Sequence, residues 1–248
     1  DYEKSKIVLK KFGKDQNFYY WYRTKKEAQI LSKTRDQKEA LNFITSQFKK
    51  INDPNVKFLL DIANFNKSAK KYDQAIKYYS LIINSPDNDS DVKADLLYRR
   101  GGSFERLKEY SKADRDLLHS LKIDPDNAYV LNYLAYSWLE RDYKINEAIE
   151  MLEKAYAQKN NDPYIIDSIG WAYYLIDDFI KAEKLLKKAI QLMPNDPIVN
   201  DHYGDILWKL DRKIQARYFW TMVLEMDDAE EELIEKIQNK LIDGIQNS

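Results

Sequence analysis

Apolar residues recur along this chain at intervals of three and four and are interrupted by short polar joints. Val130, Leu131 and Leu134, then Ile165, Ile166 and Ile169, then Val199 and Tyr203 repeat one pattern. Such spacing puts them on one face of a helix. Across the chain it predicts paired helices at 17–33 with 36–50, 54–69 with 72–84, 91–107 with 110–123, 126–141 with 144–158, 162–176 with 178–192, and 196–210 with 212–226. The joints Asn52-Asp53-Pro54, Asp124-Pro125-Asp126, Asn161-Asp162-Pro163 and Asn195-Asp196-Pro197 explain where helices restart. An Asp or Asn side chain accepts from free backbone N–H groups of the next helix, and Pro in a first turn forfeits no hydrogen bond. The longest joint, Ser85 to Asp91, is expected to act as a hinge or a change of pitch.

Two ends complete the pattern. From Asp228 to about Ile245, Leu233, Ile234, Ile237, Leu241 and Ile245 form one apolar stripe behind an acidic start, as expected for a capping helix. Residues 2–13 read as the second helix of a pair whose first helix would precede residue 1.

A second regularity lies over the first. Ala28, Ala63, Gly101, Ala135, Gly170 and Gly204 are each followed by an alanine (Ala40, Ala75, Ala113, Ala148, Ala182 and Ala216), 12 residues on in five pairs and 13 in one. The period from pair to pair is 35, 38, 34, 35 and 34 residues. Antiparallel helices approach closely only where each offers almost no side chain, so this period predicts stacked helix–turn–helix units. Around Gly170 stand Ile169, Tyr173, Ala182, Leu186, Ala189 and Pro194; around Gly101 stand Leu97, Phe104, Ala113, Leu117 and Pro125. With these marks the chain resembles the tetratricopeptide-repeat family over nearly its whole length, and within it the multi-repeat proteins of bacteria, particularly proteobacteria.

The resemblance implies an all-α fold, a right-handed α-solenoid of antiparallel helix pairs. The expected division is 1–15 for the truncated upstream helix, six pairs at about 16–52, 53–86, 90–125, 126–161, 162–195 and 196–227, and a cap at 228–248.

Composition narrows the function. Six Gly, six Pro and 33% charged residues suit short turns between helices, and 19 Tyr with nine Phe can fill an inter-helix core. The absence of Cys excludes disulfides, thiolate metal sites and a cysteine nucleophile. No apolar run is long enough to span a bilayer. The net charge of −1 hides a polarity: residues 1–100 hold 21 basic and 13 acidic residues, residues 101–248 hold 19 and 28. This is either a set of solvated helix faces or a dipole that orients a charged partner or a second copy.

Catalytic signals are missing. His119 and His202 lie in different helices, and no HExxH, phosphate loop or GxSxG occurs. No enzyme activity, metal or cofactor is expected. Phe18-Tyr19-Tyr20-Trp21-Tyr22 beside Lys25 and Lys26 could stack on a single-stranded nucleic acid, but five successive aromatics point all round a helix and most must pack. No nucleic acid and no direct membrane insertion are therefore expected.

The family resemblance directs attention to the concave face, lined by the first helix of each repeat. Its groove positions fall six and three residues before the small residue, and one and four after it. In the last three repeats they include Tyr129, Asn132 and Tyr136, then Tyr164, Asp167, Trp171 and Tyr174, then Ile198, Asp201, Asp205 and Trp208. Asp201, Asp205 and Trp208 are read as one exposed stripe, suited to a Lys- or Arg-bearing segment against aromatic walls; the alternative is that the aromatics only shore up the groove floor. The earlier groove, with Lys25, Gln29, Asn64 and Lys67, is more basic; Asp61 and Asp95 beside Lys25 and Arg99 argue against capture of a carboxylate tail.

The expected function is a non-catalytic scaffold binding a protein or peptide with a basic or apolar segment in the C-terminal groove. A second reading is the substrate-docking arm of a larger enzyme, a glycosyltransferase or protease, whose catalytic domain lies outside these residues. Self-association through an unpaired N-terminal flank is a third.

Overall fold

Short-range helical bonding and close pairing dominate the computed structural model, which describes residues 17–51, 54–85 and 90–245. Within them lie thirteen α-helices: α1 Asn17–Thr34, α2 Gln37–Phe48, α3 Val56–Ser68, α4 Tyr72–Ile83, α5 Ser90–Arg106, α6 Tyr110–Ile123, α7 Ala128–Leu139, α8 Ile145–Gln158, α9 Pro163–Leu175, α10 Phe179–Leu192, α11 Pro197–Lys209, α12 Lys213–Leu224 and α13 Glu231–Asp243. Each odd-numbered helix up to α11 packs on the helix that follows it. The expected upstream helix at 2–13, with the flank it would leave unpaired, and most of the expected hinge at 85–91 lie outside the described residues. The chain divides into two compact units, one ending at Pro125 and one starting at Asp126.

The small residues sit where the helices of a pair touch. All six alanines of the second helices are fully buried, as are Ala28, Ala63 and Ala135. A methyl group on Gly101 would come within 2.9 Å of Leu117 Cγ, and one on Gly170 within 2.9 Å of Leu186. In both pairs the opposing side chain lies 16 residues further on, and it is fully buried. Dense interiors leave no room there for a larger residue.

In the N-terminal unit, Trp21, Ala28, Ile44, Phe58 and Ile62 form one core cluster. Ala63, Ala75, Tyr79, Ile82, Leu96 and Leu97 form a second. Trp21 explains the aromatic run: its ring packs against Phe48 and Phe58, while Tyr19 and Tyr22 remain about half exposed. In the C-terminal unit Val130, Leu134, Ile165, Ile169, Leu186, Val199, Ile206 and Trp220 are buried.

Helix starts follow the capping expectation with one shift. Asp162 and Asp196 accept from two N–H groups each at the starts of α9 and α11, with Pro163 and Pro197 in the first turn. At α3 and α7 the caps are Asn55 and Asn127, so Pro54 stands outside the helix it was expected to open and α7 starts two residues later than expected.

Turns inside the pairs share a geometry that no glycine signals. Lys70, Lys108, Asp142, Asp177 and Asp211 each stand seven residues after the small residue and have φ between 50° and 60°. The N–H of the next residue bonds the carbonyl five residues back in every case, as from Asp178 to Tyr173 at 2.9 Å. A left-handed residue at this point satisfies carbonyls that a helix end leaves open.

Candidate functional site

The inner face of the C-terminal unit is built by α7, α9 and α11, the first helices of three successive pairs. Residues three to four apart on each helix share this face. The structure divides the ten expected site residues into three groups.

Tyr129 and Tyr164 stand in the first turns of α7 and α9 and are 50% and 62% exposed. Ile198 holds the equivalent place on α11 and is 38% exposed. They form a series of accessible apolar side chains at spacings of 35 and 34 residues.

Asn132, Tyr136, Asp167, Trp171 and Tyr174 form a floor. Trp171 is sandwiched: Tyr174 stacks on one side at 4.7 Å and His202 stacks at 4.1 Å, both within 10° of parallel. Its Nε1 donates to Glu140 Oε1 at 3.2 Å. His202 Nδ1 donates to Asp167 Oδ2 at 2.9 Å, a pair buried on both sides. Burial alone would discharge His202, but Asp167, Asp201 and Glu140 outweigh it and raise its pKa. Asn132 Oδ1 and Asp167 Oδ1 are buried without a hydrogen-bond partner.

The third group corrects the sequence reading. Asp201 and Asp205 are not on an exposed stripe; both are buried, because α13 packs on α12 and projects two lysines over α11. Lys240 Nζ bonds Asp201 and also reaches Asp205 at 2.6 and 2.7 Å. Lys236 donates to Asp201 Oδ2 at 3.2 Å. Trp220 Nε1 donates to Asp205 Oδ1 at 3.0 Å. Trp208 is half buried, its ring 5.3 Å from that of Trp220 and against Gly244, with Arg217 and Lys213 over it.

One ammonium shared by two carboxylates cannot hold both down. Burial opposes the charge on Asp201, yet Lys240 and Lys236 together keep its pKa below the usual value. Burial and the neighbouring Asp201 push Asp205 up to about 6. Tyr136, partly buried and close to Glu140, Asp167 and Asp201, is held well above the usual phenol value by desolvation and these carboxylates.

Sequence reasoning missed His202, Glu140, Lys236 and Lys240. A signal for some of them was present: opposite charges stand three before the small residue in one repeat and two before it in the next. Asp167 meets His202 by this rule, and Lys25 meets Asp61 at 2.5 Å in the N-terminal unit. Lys25 is thereby committed to Asp61, and Arg99 to Asp95 at 2.7 Å.

Comparison with known proteins fits this architecture. A tetratricopeptide-repeat family model matches residues 94–127. A TPR repeat-containing protein of Pseudomonas aeruginosa is 35% identical over 92 residues, a match that takes in 37% of this chain and 16% of that relative's length. Among solved structures, a tetratricopeptide repeat protein from Parabacteroides merdae superposes with a TM-score of 0.74 at 16% identity, covering 98% of this chain and 91% of its own. A thermophilic TPR protein from Thermus thermophilus gives 0.62 at 17% identity over 76% of this chain and 100% of its own. MamA from Desulfovibrio magneticus gives 0.56 at 20% identity over 71% and 97%. At these identities the likeness concerns the fold, an all-α tetratricopeptide solenoid. Among the described residues no helix is long and apolar enough to cross a membrane. One unit, residues 94–127, is thus recognised by sequence as a tetratricopeptide repeat, and the same paired-helix geometry recurs at its period along the rest of the described chain.

Proposed function

We propose that this chain is a non-catalytic scaffold that holds a protein segment on the inner face of its C-terminal unit, with Tyr129, Tyr164 and Ile198 as the first contacts. The observation behind this reading is the exposure of those three residues in register above a packed aromatic floor. Single exposed apolar residues are ordinary on a protein surface, but a row repeated at one position of successive units presents evenly spaced anchors. Aromatic anchors dominate binding energy in many interfaces because they bury much area while losing few rotamers. Glu140, exposed and bonded to Trp171 on that floor, favours a segment that carries Lys or Arg.

A photo-crosslinking residue at Tyr164 in the full-length protein, expressed in its own host, tests this. The reading expects a discrete protein adduct from position 164 and none from a control at Tyr218 on α12, which is equally exposed. A Tyr129→Ala/Tyr164→Ala variant should lose that adduct, captured through a third position such as Ile198, with its thermal melt within a degree or two of the parent. Equal labelling from both positions, or an adduct that survives the double substitution, rejects the placement.

A further inference from the structure

We propose that α13 is a detachable latch, and that the face of α11 beneath it docks a partner helix carrying two lysines one turn apart. This rests on the scaffold reading and adds the chemistry of what is bound.

Four carboxylates, Glu140, Asp167, Asp201 and Asp205, converge on this face with three cations, His202, Lys236 and Lys240. Two of the three cations come from α13. Asp167 keeps one buried oxygen without a hydrogen-bond partner even with α13 in place, an acceptor that the cover present does not reach. Buried carboxylates left without a cation are strongly unfavourable, so α11 requires a lysine-bearing cover in any conformation where its inner face is closed. The cover present shows the recognition pattern: Lys236 and Lys240 at i and i+4 with Ile237 between them, fully buried.

The attachment of α13 is otherwise slight. Within the helix only Ile237 and Lys240 are buried, and Ile242 is 75% exposed. Its far end is held where Gly244, at φ 72°, lies against the Trp208 indole, and where Arg217 bonds the Leu241 carbonyl. A helix with one fully buried apolar anchor opens at far lower cost than the paired helices beneath it. A partner helix with the same lysine spacing and more apolar contact would displace it by mass action.

The test uses the full chain and a fluorescent synthetic peptide of residues 228–245 as probe. Lys236→Gln/Lys240→Gln releases the latch from Asp201 and Asp205, and Gly244→Ala loosens it at Trp208 without touching the acidic face. Both variants are expected to bind the probe at least tenfold more tightly than the parent, and a probe with both lysines changed to glutamate should not bind. Hydrogen exchange on the unmodified protein is the second measurement, with α13 amides expected to exchange at least a hundredfold faster than those of α11. Equal probe affinity for parent and variants, no probe binding, or α13 protected as strongly as α11 would each overturn the latch. The Tyr129→Ala/Tyr164→Ala variant separates the two proposals: it removes the crosslink at the exposed row but leaves probe binding unchanged.

Discussion

At Gly204 the smallest residue of α11 faces the largest side chain of α12. A Cβ there would overlap the Trp220 indole at Nε1 and Cδ1, the edge that donates to Asp205. Gly204→Ala therefore costs both packing and a buried hydrogen bond, and a loss of roughly 1–3 kcal/mol is expected from urea denaturation. Gly170→Ala is also too close, at 2.9 Å from Leu186 Cγ and Cδ2, but the overlap is smaller than the 2.4 Å at Gly204 and breaks no hydrogen bond, so it should cost less. The spacing of small residues in the sequence showed where two helices meet, but not what each glycine faces. Asp201 and Asp205 make the same point from the other side. A sequence position on the groove face left them exposed by expectation; α13 buries them, and replacing them is expected to lower the melt as well as alter the surface.

Helix ends carry the recurring local design. The caps Asp162 and Asp196 were legible because each precedes a proline and an apolar periodicity, whereas Asn55 and Asn127 each lie one residue beyond the expected joints; Asp196→Ala should cost about 1 kcal/mol. The left-handed turn residue was not legible, because Lys or Asp occupies every instance and glycine none. A non-glycine residue pays a steric cost in this conformation that tertiary packing of both flanking helices overrides. Asp177 is exposed at φ 60°, so Asp177→Gly is expected to raise stability by about 0.5 kcal/mol, read as a higher melting temperature with unchanged helicity.

On the scale of the whole molecule, the charges buried in the C-terminal unit predict how stability follows pH. Asp205, raised to about 6, binds a proton in the fold more readily than in the unfolded chain. Its contribution is complete at low pH and is lost as pH rises through about 6, on the order of 3 kcal/mol. His202 is raised as well, so the stability it adds is present below the ordinary imidazole range and lost as pH rises through its own higher value. Asp201 acts in the opposite sense, but its window lies below the ordinary carboxylate range. The C-terminal unit is therefore expected to lose stability as pH rises from the ordinary carboxylate range through about 6, and again above the ordinary imidazole range. Trp21 is the one tryptophan before residue 126, so single-tryptophan variants keeping Trp21 or Trp220 separate the two units by fluorescence. Asp205→Asn should flatten the lower part of the Trp220 profile and His202→Gln the upper part; a Trp220 transition that rises with pH contradicts this ionisation scheme.

Periodicity alone determined the paired helices, their register and the close contacts at alanine and glycine, because these follow from which residues fit at 3.6 per turn and at 34 to 38 per unit. It did not separate the members of the aromatic run: that Trp21 is buried while Tyr19 and Tyr22 are half exposed depends on the neighbouring helices. Only the tertiary structure decided that the acidic stripe of α11 is covered, that His202 belongs to the inner face, and that Lys236 and Lys240 close it. Those contacts join residues about 35 to 39 positions apart across neighbouring helices. The period of a repeat says that two positions are neighbours; which side chain bends toward which charge depends on distances that no single helix contains.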